Sequence, residues 1–284
     1  MRRLVWISIL CAACGEPDAP KAADGPPVVY IVNYPLQYFA ARVTGGAVRV
    51  VLPAPAGVDP ALWTPDGQTI AAYQRADRIL LNGAGYARWT ETASLPQSKV
   101  VVTFEGRPIL TKGGVTHAHG PDGAHEHGET AFTTWLDPTI AVEQARAIAR
   151  ILPGDGLASL EADLSALDKE IDSVVSGNRD RPVFFSHPVY QYLERRYRLN
   201  GKSVHWEPDV VPDAGMWERL DELSRSHPAR WMIWEDEPIA ETVRRLEALR
   251  IKSVVFDPCG NAPESGDYLA VMRRNVQQLA QAYR

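Results

Sequence analysis

Cysteine is scarce in this 284-residue sequence. Of its 3 cysteines, Cys11 and Cys14 lie close to the N-terminus, which leaves Cys259 alone in the rest of the chain. A single cysteine forms no disulfide within that part, so no disulfide framework stabilises it. The core is therefore expected to rest on apolar packing, and hydrophobic residues at 45% of the chain suffice for two α/β lobes.

Positive charge and long apolar runs are equally scarce. Lys and Arg number 30 against 35 Asp and Glu, and the net charge of −5 argues against nucleic acid or an anionic membrane surface as the main partner. The apolar run at residues 4–10 follows Arg2 and Arg3 and is too short to span a bilayer as a mature helix. Together with the small residues after it, this run is typical of a signal peptide.

The N-terminal pattern resembles the signal of bacterial lipoproteins. We expect residues 1–14 to act as the signal, with Cys14 lipidated as the new N-terminus, although Cys11 stands where leucine is usual. Residues 15–27, rich in Ala, Pro and Asp, predict a flexible tether. The predicted location is the periplasm or cell envelope, as a membrane-anchored lipoprotein.

One long helix is predicted between two similar halves of the chain. From residue 155 to 175, apolar side chains recur at intervals of three and four, which predicts an amphipathic helix roughly 30 Å long. The members of this stripe are Leu157, Leu160, Leu164, Leu167, Ile171 and Val174. We interpret residues 155–177 as a rigid helix linking an N-terminal lobe (28–154) to a C-terminal lobe (178–284). An ordinary helix within one domain would show the same stripe.

Strand-like and helix-like segments alternate in both predicted lobes, which favours an α/β fold of two βα sandwich lobes with parallel sheets. The predicted strands are residues 28–32, 48–52, 78–81, 99–104, 182–186, 203–206, 231–234 and 253–256. Ligands of such sheets lie beyond the carboxyl ends of the strands. His187 and Asp257 each follow a predicted strand of the C-terminal lobe. Either residue alone is often structural, but at matching strand ends the pair predicts a binding site.

Four of the 7 histidines lie in one glycine-rich segment, residues 116–128. They form two His-x-His pairs, His117 with His119 and His125 with His127. Neutral imidazole is a borderline ligand that suits zinc, copper and nickel, so this density of histidine predicts contact with a divalent metal. Whether the segment forms the main site or only collects metal stays open.

Four short blocks, in the same order along the chain, resemble the solute-binding proteins of zinc and manganese ABC transporters. They are residues 76–89 with Asn82-Gly83, residues 135–138 (Trp-Leu-Asp-Pro), residues 185–193 around His187-Pro188, and residues 266–275. The resemblance implies a periplasmic-binding-protein fold with one rigid linking helix. It also implies a monomer that captures Zn²⁺, less readily Mn²⁺, between its lobes and delivers it to an inner-membrane permease, since imidazole ligands favour zinc.

The sequence departs from that family at two of the four usual metal-ligand positions. The first histidine normally follows Asp-Pro, but here Ala61 does, and the second position, two residues before Trp135, holds Thr133. His187 and Asp257 match the other two positions, and two protein ligands do not make a tight four-coordinate zinc site. We hypothesise that His125 or His127 completes the site. Three carboxylates that follow strands of the C-terminal lobe are the alternatives: Glu207, Glu235 and Glu237.

Two other functions compete with metal capture for transport. The first is a binding module of the same fold whose metal site has moved or been lost, such as a metallochaperone, an adhesin-like protein or a binder of another solute. The second is a metallohydrolase, but the sequence contains neither His-x-His-x-Asp-His nor His-Glu-x-x-His. We therefore predict a protein that is not an enzyme and has no catalytic residue.

Overall fold

The structure is a computed structural model that describes residues 25–110, 116–118, 124–126 and 130–284, the two short segments by backbone only. Predicted residues Cys14, His119 and His127, and the side chains of His117 and His125, lie outside this description. In the described residues no helix combines the length and the apolarity that a membrane span requires. The N-terminal lobe is here the part from the first strand to the helix before residue 150, and the C-terminal lobe is the part after residue 181.

The N-terminal lobe is built on a parallel four-stranded sheet in the order β2-β1-β3-β4. Its strands are β1 (Val28–Ile31), β2 (Arg49–Val51), β3 (Arg78–Leu81) and β4 (Val100–Val102), and its helices are α1 (Tyr34–Thr44), α2 (Gly67–Arg75), α3 (Trp89–Thr92) and α4 (Pro138–Ala149). Helix α1 begins where the side chain of Asn33 accepts a hydrogen bond from the backbone of Leu36. Its buried face, including Phe39 and Val43, then packs on the sheet.

A short antiparallel hairpin precedes α4 in the chain. It consists of β5 (Thr116–Ala118) and β6 (Ala124–Glu126), and its register places the backbone of His117 opposite that of His125. The hairpin therefore brings one residue from each predicted His-x-His pair to neighbouring positions.

The C-terminal lobe repeats the architecture with a second parallel sheet in the order β10-β9-β7-β8. Its strands are β7 (Pro182–Phe185), β8 (Asn200–Ser203), β9 (Trp231–Trp234) and β10 (Lys252–Val255), and its helices are α6 (Gln191–Tyr197), α7 (Ala214–Ser226), α8 (Ala240–Ala248) and α9 (Tyr268–Tyr283). One face of this sheet is covered by an aromatic cluster that includes Phe184, Trp206, Trp217 and Trp234. Both lobes are thus α/β layers with parallel strands, as the sequence predicts.

Helix α5 (Leu157–Val175) lies between the two sheets in the chain and contacts both lobes. It packs on α1 and α4 of the N-terminal lobe and on α9 of the C-terminal lobe. Leu160, Leu164, Leu167 and Ile171 are buried as the stripe predicts, and Val175 is the last buried residue of the helix. One continuous apolar cluster therefore runs from the first lobe through α5 into the second.

The structure corrects one predicted strand. Residues 203–206 were expected to form a strand, but β8 is Asn200–Ser203. The following residues still bond to the end of β7, since the backbone N–H of Val204 donates to Phe185 O at 2.9 Å and that of Trp206 donates to Ser186 O at 2.6 Å. This continuation carries the chain to Glu207.

Candidate metal centre

Three side chains meet at the carboxyl ends of adjacent strands in the C-terminal lobe. His187 follows β7, Glu207 follows the continuation of β8, and Glu235 directly follows β9. In the order β10-β9-β7-β8, strand β7 leads to β8 on one side while β9 leads to β10 on the other. The carboxyl edge between β7 and β9 is therefore the point where the connections diverge, which is where open α/β sheets bind ligands.

These three side chains form a compact donor cluster. His187 Nδ1 lies 3.4 Å from Glu207 Oε1 and 3.9 Å from Glu235 Oε1. In the described part of the chain their possible ligand atoms all lie within 4.8 Å of one another. Ligands of tetrahedral zinc, at about 2.0–2.2 Å from the metal, lie roughly 3.3–3.6 Å apart. A small inward movement of Glu235 would bring all three onto one ion.

The cluster is largely shielded from solvent. The side chain of His187 is 3% exposed, that of Glu207 is 15% exposed and that of Glu235 is 23% exposed. The local backbone explains how Glu207 reaches it: His205 adopts the left-handed region at φ 59°, which is uncommon for a residue with a side chain. The next residue, Trp206, is buried against Trp217 and Trp234. The ring centre of His205 lies 6.1 Å from that of His187.

Negative charge accumulates around the cluster. Burial raises the pKa of Glu207 to about 7, and the charges of Asp209 and Asp59 add to the rise. Burial likewise raises the pKa of Glu235 to about 8, with Glu207 and then Asp59 as the next causes. Because Asp59 belongs to the N-terminal lobe, both lobes contribute to this field. A divalent cation would relieve the repulsion between buried carboxylates, so this arrangement suits a cation.

Asp257 lies close to the donor cluster but is not part of the group of three. It follows β10, which is separated from β7 by β9, so two strand spacings put it roughly 10 Å from the end of β7. Its carboxylate accepts a hydrogen bond from the backbone of Cys259 at 2.6 Å, and the side-chain amide of Asn275 bonds both the N–H and the carbonyl of Asp257. Burial raises the pKa of Asp257. Its negative charge also contributes to the raised pKa of Glu235.

The remaining predicted positions divide between the two lobes. Glu237 is exposed and lies outside the group of three. Cys259 is buried, and burial raises its pKa, which fits the inert thiol expected from the sequence. Ala61 packs against the core, and the hydroxyl of Thr133 donates to Val189 O in the other lobe. The hypothesis that His125 or His127 completes the site concerns side chains outside the described residues and stays a prediction.

Two parallel-sheet lobes, one long connecting helix and a donor cluster at a strand-end crevice define a two-lobed binding protein. A family model described as "ZnuA: Zinc-uptake complex component A periplasmic" matches residues 29–282. The chain belongs to this family.

Curated relatives agree with that assignment. The chain is 25% identical over 305 residues to the zinc-binding lipoprotein AdcA of Streptococcus pneumoniae serotype 4, covering 97% of this chain and 60% of the relative. It is 24% identical over 288 residues to the zinc-binding protein AdcA of Streptococcus pyogenes serotype M3, covering 90% of this chain and 56% of the relative. The chain therefore spans about 60% or less of the length of these relatives.

Solved structures match the fold over most of the chain. The Zn(II)-bound ZnuA-like domain of Streptococcus pneumoniae AdcA superposes with a TM-score of 0.74 at 20% identity, covering 91% of this chain and 99% of that domain. The metal-dependent lipoprotein YcdH of Bacillus subtilis superposes with a TM-score of 0.75 at 20% identity, covering 90% and 99%. The predicted α/β fold of two lobes is thereby confirmed.

Proposed function

We propose that this protein captures a divalent cation, Zn²⁺ in preference to Mn²⁺, and delivers it to the membrane permease of an ABC transporter. The observation that carries the proposal is the approach of His187 Nδ1 to within 3.4 Å of Glu207 and 3.9 Å of Glu235 at the strand-end crevice. The names of the relatives support zinc as the cargo, since AdcA is named a zinc-binding protein in both streptococci. The cation is cargo, so the proposal assigns no catalytic residue.

The donor set explains the proposed preference. One imidazole and two carboxylates supply three protein ligands, and many zinc sites complete such a set with a fourth group or a water molecule. For a given set of nitrogen and oxygen donors, Zn²⁺ binds more tightly than Mn²⁺. Asp257, His125 and His127 are the candidates for the fourth position. Because oxygen donors outnumber nitrogen in the cluster, we expect Mn²⁺ to bind weakly and not to be excluded.

Metal titration of the purified protein tests the site. With a competing chelator, we expect one tight Zn²⁺ per chain, and we expect His187→Ala, Glu207→Gln and Glu235→Gln each to weaken binding by roughly 100-fold through loss of one ligand. Glu237→Gln is the matched control, since this exposed carboxylate lies two residues from Glu235 and should leave the affinity unchanged.

Unchanged affinity in all three variants would contradict the ligand assignment while leaving metal binding intact. Failure of the wild-type protein to bind Zn²⁺ or Mn²⁺ would instead favour the alternative function, a module of the same fold with a moved or lost metal site.

We also propose that the protein is exported and anchored in the cell envelope as a monomer through a lipid on Cys14. The lipoprotein-like N-terminus and the name of the pneumococcal relative, a zinc-binding lipoprotein, support this proposal. Labelled fatty acid should enter the wild-type protein and the Cys11→Ser control, and Cys14→Ser should abolish the labelling. Incorporation that survives in Cys14→Ser would contradict the assignment of the anchor.

A further inference from the structure

A short segment of the N-terminal lobe touches both C-terminal-lobe turns that carry predicted ligands. The hydroxyl of Thr133 donates to Val189 O at 2.5 Å, and the indole Nε1 of Trp135 donates to Pro258 O at 2.7 Å. Val189 lies two residues after His187, and Pro258 directly follows Asp257. We call residues 132–135 the seam segment, because its hydrogen bonds join the two lobes.

The N-terminal lobe holds the seam segment firmly. Asn82, at the end of β3, donates through Nδ2 to Phe132 O at 2.9 Å. Its Oδ1 accepts from the hydroxyl of Thr134 at 3.0 Å and from the side-chain amide of Gln144 at 3.1 Å. Asn82, Thr134 and Gln144 are fully buried. A buried polar network of this kind fixes the position of its members, so Thr133 is presented to the other lobe from a rigid base.

The C-terminal lobe is tied to the seam with similar care. The backbone N–H of Val189 donates to His187 O at 3.0 Å, so the bond from Thr133 ends on the same tight turn as His187. The hydroxyl of Tyr190 donates to Phe256 O at 2.7 Å and links this turn to the one that carries Asp257. A displacement of Val189 would therefore be felt at both turns.

Further bonds between the lobes flank the seam segment. The backbone N–H of Tyr34, at the start of α1, donates to Gly260 O at 2.9 Å. The side-chain amide of Asn261 donates to Pro55 O at 2.7 Å and to Val58 O at 2.8 Å. The donor cluster, by contrast, consists of three residues of the C-terminal lobe. In the described residues the lobes are thus joined by protein hydrogen bonds, while the compact donor group lies on one side.

We propose that Thr133 is a positioning residue that joins the N-terminal lobe to the turn carrying His187, so that the lobes are already held together before a cation binds. The cation is then loaded onto a preformed face of the C-terminal lobe, and its release does not require the lobes to separate. This inference rests on the proposed function for the nature of the cargo. The joining of the lobes is a property of the cation-free protein and is tested without metal.

Indole N–H exchange, followed by NMR in the full cation-free chain, tests this role. The Trp135 indole bonds across the seam, whereas the Trp217 indole donates to Pro212 O within the C-terminal lobe at 3.0 Å and serves as an internal control. We expect Thr133→Val to accelerate exchange of the Trp135 indole by about tenfold and to leave Trp217 unchanged. Thr133→Ser retains the hydroxyl and should restore slow exchange.

Thr134→Val is the matched control variant. It removes a buried hydroxyl from the adjacent residue, but that hydroxyl bonds Asn82 within the N-terminal lobe, so Val189 keeps its bond from Thr133. If Thr133 only contributes general stability, Thr133→Val will accelerate both indoles alike and Thr134→Val will have the same effect. Either of these results, or the failure of Thr133→Ser to restore slow exchange, overturns the proposal.

The wild-type protein supplies a test that needs no variant. If the Trp135 indole exchanges rapidly without metal and becomes protected only with Zn²⁺, the cation closes the lobes and the proposal is wrong. Slow exchange in both states supports it. A zinc titration separates the two claims: in Thr133→Val we expect roughly tenfold weaker binding, as when a group that orients a ligand is lost. Absence of zinc binding combined with a seam loosened by Thr133→Val would reject the proposed function and keep the seam.

Discussion

Glu194 is a buried carboxyl of α6 that takes no part in the donor cluster. It lies against Gly201 of β8, where an added Cβ would come within 2.3 Å of Glu194 Oε1. Burial raises the pKa of Glu194 to about 7, against the opposing influence of the Lys202 charge. The folded protein therefore holds this proton more tightly than the unfolded chain, in which the pKa is near 4.5. The resulting stabilisation is fully present below about pH 4.5 and is lost as the pH rises through 7.

We predict that Glu194→Gln flattens this pH dependence. Between pH 5 and pH 8 the wild-type protein should lose about 2–3 kcal/mol of unfolding free energy at this residue, and the variant should not, because glutamine does not ionise. Chemical denaturation of both proteins in the absence of metal measures the difference. Glu222→Gln, an exposed carboxyl of α7, is the control and should follow the wild type. Parallel pH profiles for wild type and Glu194→Gln would contradict the assignment.

At the scale of single residues, the sequence identifies His187 because it follows an apolar run that reads clearly as a strand. Glu207 and Glu235 appear from sequence only as alternatives, since an isolated carboxylate after a strand is usually exposed. The order β10-β9-β7-β8 is what selects them, by placing β8 and β9 beside β7 and β10 one strand further away. Strand order is not contained in the local pattern, so the closer placement of Glu235 than Asp257 to His187 required the structure.

The start of α5 shows how an element depends on glycine for close packing. Gly156, directly before the helix, donates its backbone N–H to Val43 O at 3.1 Å, and an added Cβ would come within 1.9 Å of Arg42 O. The opposing atom belongs to the backbone of α1, which does not yield as a flexible side chain would. The linking helix therefore meets the N-terminal lobe at a contact that tolerates no side chain.

We predict that Gly156→Ala destabilises the protein by about 2–4 kcal/mol, because the backbones of α1 and α5 must separate to admit the methyl group. Gly177→Ala, just beyond the other end of α5, is the control, since an added Cβ there meets no atom within 4 Å. Thermal and urea unfolding of the two variants measure the difference. Equal stability of Gly156→Ala and Gly177→Ala would show that the contact with Arg42 adjusts at little cost.

Among the elements, β8 is the one that sequence places several residues too late. Asn200, Gly201 and Lys202 are polar or small and are typical of a turn, whereas Val204 and Trp206 have the composition of a strand. As an edge strand, β8 pairs with β7 alone, so its backbone bonds decide its position more than its side chains do. The long periodic stripe of α5, by comparison, predicts its helix to within two residues at the N-terminal end.

For the whole molecule, alternation of strands and helices is sufficient to predict two α/β lobes with a helix between them. The contact between the lobes is not predictable in the same way. It rests on single hydrogen bonds such as those of Thr133 and Asn261, whose partners are backbone carbonyls far away in the sequence. A backbone carbonyl carries no identity in the sequence, so such bonds leave no residue pattern to read.

The histidine-rich segment supplies the final prediction, which concerns the molecule as a whole. Three donors already meet at one crevice of the C-terminal lobe, so we expect a variant lacking residues 116–128 to keep one tight Zn²⁺ site. The extra imidazoles should bind further zinc weakly, so the deletion should lower the stoichiometry at high zinc and leave the strongest affinity within a few-fold of wild type. Calorimetric titration with a competing chelator separates the two effects, and replacing the four histidines by alanine at unchanged length controls for shortening the chain. Loss of tight binding in both variants would instead show that His125 or His127 completes the site with His187.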